Sequence, residues 1–243
     1  GPAHLFSNLC LANAETLSAL VIFQLAHPAR PLIYSNAVGS VDFRNGSFLA
    51  GTPETALHSA AMVEMGRFYN LPSTSAGCST DAKQPGAEAV LEKFLTALPS
   101  VLVGSDIIVG FGEIESDQTL ILEQIVVDNE IAHLCKRLYE GIDTAQENYL
   151  FEDIAQVGPG GNFLKCKSTR KAARSAEFYL PRLLDRHPYD AWLALGKPNM
   201  YTYARQIVTE ILAAPISDPL PQDTIEELDE ILHKADQELE QPS

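Results

Sequence analysis

The sequence predicts an α/β chain built on parallel strands, and three observations carry that expectation. Short apolar runs alternate with amphipathic stretches of helical length; a polar or glycine-containing loop follows each run; and a new helix follows each loop. Leu32–Tyr34, Ser73–Gly77 and Asp106–Gly110 read as the strands, the last within Ser105–Gly110, whose Asp-Ile-Ile-Val core is the clearest strand pattern in the chain.

The elements follow in order. Leu9–Leu25 has apolar residues at helical spacing and is expected to be a helix that follows a strand not included in the chain. After the first strand, Ser35–Gly51 is a Gly/Asn/Ser-rich loop. Thr52-Pro53-Glu54 opens the next helix, with Thr as N-cap, Pro at the first helical position and an acid in the first turn; that helix is expected to reach Tyr69. Cys78–Gly86 is a polar loop before a helix at Ala87–Leu98. Gly112–Asp117 is a loop before a long helix at Leu120–Leu138. Three strands are too few to close an eight-stranded barrel, so further polypeptide or a partner is expected to complete the sheet. The alternation stops after Gly141, which divides the chain into 1–141 and a helical 142–243. In the latter, Thr144–Gln156, Ser168–Phe178, Tyr201–Leu212 and Thr224–Leu239 read as helices. Gly158-Pro159-Gly160-Gly161 breaks the series, Pro181–Pro198 is irregular, and Pro215, Pro219 and Pro221 mark a linker.

Composition excludes several classes. The 243 residues carry 17 Lys and Arg against 32 Asp and Glu, a net charge of −15, which argues against a nucleic-acid surface. Much of the acid lies between Asp223 and Glu240 and reads as a solvated face. The apolar stretch Leu17–Leu25 is too short to span a bilayer, so no membrane segment is expected, and no secretory signal opens the chain. Gly1-Pro2 fits either a protease scar or native sequence. Cys10, Cys78, Cys135 and Cys166 are scattered, which suits a reducing cytoplasm; with the six histidines they lack metal-ligand spacing, so no structural metal is expected.

In a parallel sheet, chemistry collects in the loops after the strands' C-terminal ends. Here those loops bring Tyr34, Ser35, Asn36, Ser40, Asp42 and Phe43 from the first; Cys78, Asp81 and Lys83 from the second; and Phe111 and Glu115 from the third. Each has a plainer reading. Asp81 can cap a turn and pair with Lys83, Cys78 can fill space, the glycines beside Phe111 can merely permit tight turns, and Glu115 can complement a helix dipole. Gly110-x-Gly112 lacks the third glycine of a dinucleotide fingerprint, and Gly158–Gly161 lacks the Gly-Lys-Ser/Thr of a phosphate loop.

Six stretches taken together, LANAETLSALVIFQLAHPARPLIYS (11–35), GTPETALHSAAMVEMGRFYNLPS (51–73), AGCSTDAKQPGAEAVLEK (76–93), LEQIVVDNEIA (122–132), VGPGGNFL (157–164) and LPRLLDRHPYDAW (180–192), resemble the trimethylamine methyltransferase (corrinoid methyltransferase) superfamily. The resemblance implies the C-terminal part of a TIM-type (β/α)8 barrel in a protein about twice this length, followed by helices packed on it. It implies transfer of a methyl group from a methylated amine to the cobalt of a small corrinoid protein, with no cofactor held by this chain. Some trimethylamine enzymes of that superfamily carry pyrrolysine in the loop matching Gly77–Asp81. Here the loop reads Gly-Cys-Ser-Thr-Asp, which resembles the branch that includes glycine betaine methyltransferase. Asn162 stands where that family's pattern has His; if that His orients substrate, the resemblance implies a different substrate preference here.

The residues carried into that reading are Cys78, Asp81 and Glu115 as candidate catalytic groups, and Tyr34, Asn36, Phe43, Lys83, Phe111 and Asn162 as candidate substrate-binding groups. The implied partners are a corrinoid (cobalamin) protein and a quaternary or tertiary methylamine; a homo-oligomer is left open. Two alternatives stand beside a betaine enzyme: a trimethylamine-type enzyme, and an inactive half-barrel acting as a binding or structural module.

Overall fold

The computed structural model describes residues 1–215 and 220–239, so Pro219 and Glu240 lie outside the described residues. Its elements are α1 (Leu5–Ala26), β1 (Tyr34–Asn36), β2 (Ser40–Val41), β3 (Phe48–Leu49), α2 (Pro53–Phe68), β4 (Ser73–Ser75), α3 (Ala87–Leu102), β5 (Ile107–Ile108), β6 (Glu113–Ile114), β7 (Thr119–Leu120), α4 (Leu122–Glu140), α5 (Phe151–Val157), α6 (Lys167–Ala172), α7 (Tyr189–Ala194), α8 (Met200–Ala213) and α9 (Gln222–Leu239). The chain falls into two compact units, Gly1–Val208 and Thr209–Ser243.

In the larger unit β1, β4 and β5 form one sheet in that order, all parallel. Tyr34 pairs with Ser73, Asn36 with Ser75, Thr74 with Ile107 and Ser75 with Ile108. The α/β expectation with parallel neighbours is therefore met, although the strands are shorter than the apolar runs and the first lies two residues later. Helices α1, α2 and α3 sit on one face of this sheet. Tyr34 is buried there and donates from its hydroxyl to Asn13 of α1 at 2.7 Å. Gly66 of α2 lies so close to the strands that a Cβ would stand 3.1 Å from that of Ser73 and 3.4 Å from that of Tyr34. Gly77 is likewise wedged between Ile108 and Ser100 of α3. The opposite face is bare: Ser35, Ile107 and Val109 are exposed, and Ser35 and Thr74 share a hydrogen bond at 2.6 Å.

Local signals account for most boundaries. The Thr52 hydroxyl accepts the Thr55 amide with Pro53 at the helix start, as the sequence predicts. α3 runs past its expected end at Leu98, through Pro99 to Leu102, because a proline one turn from a helix end forfeits only one late backbone bond. The expected loops 35–51 and 112–117 each contribute to a short antiparallel hairpin, β2–β3 and β6–β7. In the C-terminal part α6 ends at Ala172 rather than Phe178, and α7 lies within the stretch read as irregular. α1 is 22 residues long, so the sequence-based length of its apolar run is corrected: by length and composition alone it could cross a membrane. In this fold Ala12 and Thr16 of the same helix are buried, and Ala12 packs with Tyr34 and Met62.

One core ties helices α3 and α4 to the later part of the larger unit. Ala97 of α3, with Val127, Ile131 and Cys135 of α4, packs against Leu183 and Ala204. The smaller unit contains α9, on which Leu228, Ile231 and Leu232 are exposed among acidic residues.

Candidate active site

Three loops follow the C-terminal ends of the parallel strands, and hydrogen bonds lock them together. Asp81 is the first knot: its carboxylate accepts the amides of Ala50 at 2.7 Å and Gly51 at 3.0 Å and the Ser116 hydroxyl at 2.6 Å. Thus one side chain of the middle loop holds the chain on both sides of it. Glu92 of α3 is the second knot, accepting the Thr80 hydroxyl at 2.6 Å and the Asp81 amide at 2.7 Å. Backbone bonds from Cys78 to Val109, Glu115 to Ala82 and Ser116 to Thr80 complete the lock.

A third knot lies beneath the loops. Lys93 of α3 and Asp128 of α4 form an ion pair at 2.8 Å with both side chains fully buried. The Lys93 ammonium also donates to the carbonyls of Cys78 at 2.9 Å and Gly110 at 2.8 Å. Asp128 accepts the Gly112 amide and the Gln124 side chain, each at 2.7 Å. Gln124 in turn accepts the Tyr201 hydroxyl at 2.8 Å, and that hydroxyl accepts the Gly86 amide at 3.0 Å. Charged groups are retained in an interior only when paired and hydrogen-bonded, a condition met here in full. Burial raises the Asp128 carboxyl above its ordinary pKa, while Lys93 pulls it down.

The structure brings Cys78, Asp81, Phe111 and Glu115 into adjoining loops and separates other expected members. Phe111 is half-buried between Gly110 (φ +102°) and Gly112 (φ +83°), both in the left-handed region that glycine tolerates. Glu115 is exposed and accepts the Thr119 hydroxyl at 3.2 Å. Lys83 is exposed and donates to the Asp81 carbonyl at 2.5 Å, while Asn162 caps a 3₁₀ turn by accepting the Leu164 amide at 2.8 Å. Tyr34 does not face the loops: its side chain is buried in the helix layer against Asn13, Met62 and Tyr69, leaving no accessible aromatic face. Asn36 turns the same way, its amide donating to Ala12 and Thr16 of α1. Phe43 is 83% exposed at the rim of a different cavity, of about 580 Å³, shared by Val38, Leu49 and His58.

Cys78, a candidate catalytic group in the sequence, sits in the interior where the space-filling reading puts it. It is fully buried, and burial first, then the charge of Asp128, pushes its thiol up to about 12, leaving essentially no thiolate at neutral pH. Cys135 is pushed up to about 11 by burial, whereas Cys10 is exposed and Cys166 half-buried. A thiol reagent at pH 8 should therefore modify Cys10 and Cys166 in the folded chain, and Cys78 and Cys135 only after unfolding. Mass spectrometry of the labelled peptides checks this, and rapid labelling of Cys78 would contradict it.

Glu113, Lys93 and Asp128 were not singled out by the sequence. Burial and then the nearby Asp117 raise the Glu113 carboxyl above its usual range, which makes it the carboxyl of the third loop with a perturbed proton. His58 is a further buried titratable group, with neither ring nitrogen hydrogen-bonded. Burial lowers its pKa below that of the unfolded chain. The unfolded chain then binds the extra proton first, so stability present at neutral pH should fall as the pH drops below about 6.5 and level off beneath the folded-state value. Urea unfolding at pH 7.5, 6.5 and 5.5 should show this slope, and His58→Leu should flatten it; an unchanged slope would contradict the assignment. Among the described residues, no three His, Cys, Asp or Glu side chains stand close enough to share a metal ion.

Parallel strands with helices on one face and an interlocked loop layer at the strands' C-terminal ends define a chain of the α/β class with a candidate site in those loops. Residues 1–240 match the family described as trimethylamine methyltransferase, and the chain belongs to that family. It is 36% identical to the trimethylamine methyltransferase of Methanosarcina barkeri over 235 residues, 97% of this chain and 47% of that protein. It is 35% identical to the enzyme of that name from Methanosarcina thermophila, across 93% of this chain and 47% of the relative. It is 36% identical to the glycine betaine methyltransferase of Desulfitobacterium hafniense strain Y51 over 193 residues, 79% of this chain and 40% of the relative. The chain spans about half the length of the curated relatives it matches.

Proposed function

We propose that this chain is the C-terminal part of a methyltransferase that takes a methyl group from a quaternary amine of the glycine betaine type and passes it to the cobalt of a corrinoid protein. On this reading residues 1–141 are part of a (β/α)8 barrel and 142–243 the helical region that follows it in sequence. The observation that carries it is the one-sided sheet: three helices cover one face while Ser35, Ile107 and Val109 lie bare on the other, as the inward face of a barrel does before its remaining strands close round it. Similarity to both trimethylamine and glycine betaine enzymes supports methyl transfer from an amine. The ordinary Gly77–Asp81 loop favours a quaternary substrate, whose departing group is already a neutral amine and needs no acid. Scattered free thiols support a cytoplasmic setting.

The corrinoid supplies the nucleophile, so the chain's task is binding, orientation and exclusion of water. The positive charge on nitrogen disappears during transfer. A carboxylate against it would favour the ground state, whereas an aromatic face binds it more gently. On this reading Phe111 takes that role, while Lys83 and loop amides serve as donors to a substrate carboxylate. Asp81 and Glu115 act on loop geometry and local charge. Phe111→Ala should weaken betaine binding by about 1–2 kcal/mol, roughly 5- to 30-fold, by losing cation–π contact and apolar area. Calorimetry on the natural gene product with glycine betaine, other betaines and trimethylamine tests this. Binding of trimethylamine with none of any quaternary amine would favour the trimethylamine-type reading, and no binding of either would favour an inactive module.

A further inference from the structure

We infer that the buried Lys93–Asp128 pair is a positioning device for Phe111, acting through the two peptides that flank it. Lys93 holds the carbonyl before Phe111, that of Gly110, at 2.8 Å. Asp128 holds the amide after it, that of Gly112, at 2.7 Å. The ion pair joins the two holds into one clamp, and the third Lys93 bond, to the Cys78 carbonyl, fastens that clamp to the neighbouring loop.

The backbone inside the clamp is over-determined. A Cβ on Gly110 would meet the Cys78 carbonyl oxygen at 2.7 Å, and one on Gly112 would meet Ile125 at 2.3 Å, so the turn has no room to relax towards its neighbours. A ring offered to a cation works by orientation, because the attraction comes from its face. Fixing the peptide on both sides limits the directions the Cα–Cβ bond can take. The clamp needs buried charge because it must hold a carbonyl and an amide at once, and bonds to ionised groups are stronger than those between neutral ones. Farther out, Gln124 and Tyr201 brace Asp128 without reaching the Phe111 peptides.

The clamp is a matter of loop geometry alone, and its consequence for substrate rests on the quaternary-amine reading above. The test replaces Phe111→4-fluorophenylalanine in the natural gene product and records its fluorine resonance without ligand. The parent should give one narrow line. Lys93→Met/Asp128→Asn, which removes both charges and keeps side-chain size, should broaden or split it while circular dichroism remains that of a folded chain. Tyr201→Phe, which loosens only the outer brace, should leave the line narrow. Where the double variant fails to fold, Asp128→Glu, which keeps the ion pair but moves the carboxylate away from the Gly112 amide, is read by the same criteria. A narrow, unshifted line in the clamp variant, or equal broadening in Tyr201→Phe, would overturn the inference. Glycine betaine binding adds a second readout: the clamp variant should lose at least about tenfold in affinity, and adding Phe111→Ala should weaken it by less than about twofold more. Full additivity of the two would also overturn it. Failure of the parent to bind betaine sinks the substrate reading, and the fluorine line still decides the clamp.

Discussion

Lys93→Met should destabilise the folded chain by about 3–5 kcal/mol, the largest single effect expected here. The substitution keeps the length of the side chain but leaves the fully buried Asp128 carboxylate without its counter-charge, and removing one partner of a buried pair typically has a cost of that size. The carbonyls of Cys78 and Gly110 lose their ammonium donor in the same step. The partner-matched double variant Lys93→Met/Asp128→Asn should recover part of the loss, since no unpaired charge remains. Urea unfolding of the parent, the single and the double variants measures both quantities. A loss below about 1 kcal/mol for Lys93→Met would mean that the pair is not buried as described.

Asp81→Ala should be the second large effect, a loss of about 2–4 kcal/mol accompanied by loosening of two loops. Its carboxylate satisfies two amides and a hydroxyl from chain segments 30 residues before and 35 residues after it. Ala50 and Gly51 are buried, so their amides would be left without acceptors, and hydrogen bonds to charged groups are worth about 1.5–3 kcal/mol. Asp81→Asn should lose less, because one carboxamide oxygen remains to accept. Hydrogen exchange at Ala50, Gly51 and Ser116 should rise selectively in Asp81→Ala. Protection unchanged at these sites would contradict the knot. This gives Asp81 a positioning part: its carboxylate reaches Ala50, Gly51 and Ser116 rather than the turn that follows it, and Lys83 bonds its backbone carbonyl.

How far the sequence could be read depends on which physical rule governs each position. The start of α2 was legible because capping is local: Thr52, Pro53 and Thr55 meet within one turn. The parallel sheet was legible because each apolar run is followed by a helix long enough to cross back. Exact strand limits were not, since pairing register depends on neighbours, and Asn36 joins β1 through Ser75 rather than through its own apolarity. Helix α6 ends early where the chain is exposed: residues 173–178 bury little, so packing adds little to a modest helical propensity.

The candidate site divides in the same way. Asp81, Phe111 and Glu115 could be placed at one end of the sheet from strand order alone. Tyr34 and Asn36 could not, because side chains alternate between faces, and the strand begins at Tyr34 rather than ending there. Lys93 and Asp128 did leave a trace. Lys93 lies on the buried face of α3 with Ala89, Thr96, Ala97 and Ser100, and Asp128 on that of α4 with Gln124, Val127 and Ile131. Opposite charges inside two neighbouring buried faces are the pattern of a paired interior, yet α4 buries Glu130 as well as Asp128, and which acid pairs with Lys93 and which loops the pair holds depend on a tertiary contact that no spacing rule encodes.

Methyl transfer itself gives the most direct test of the functional proposal. The natural gene product is incubated with its corrinoid protein reduced to the cob(I)alamin state, and methylcobalamin formation is followed by absorbance with glycine betaine, other betaines and trimethylamine in parallel. The account predicts stoichiometric methylation from a quaternary amine, lowered in Phe111→Ala and in Lys93→Met/Asp128→Asn. Methylation from trimethylamine with none from any quaternary amine would contradict the substrate, and no methylation from any of them would contradict the activity.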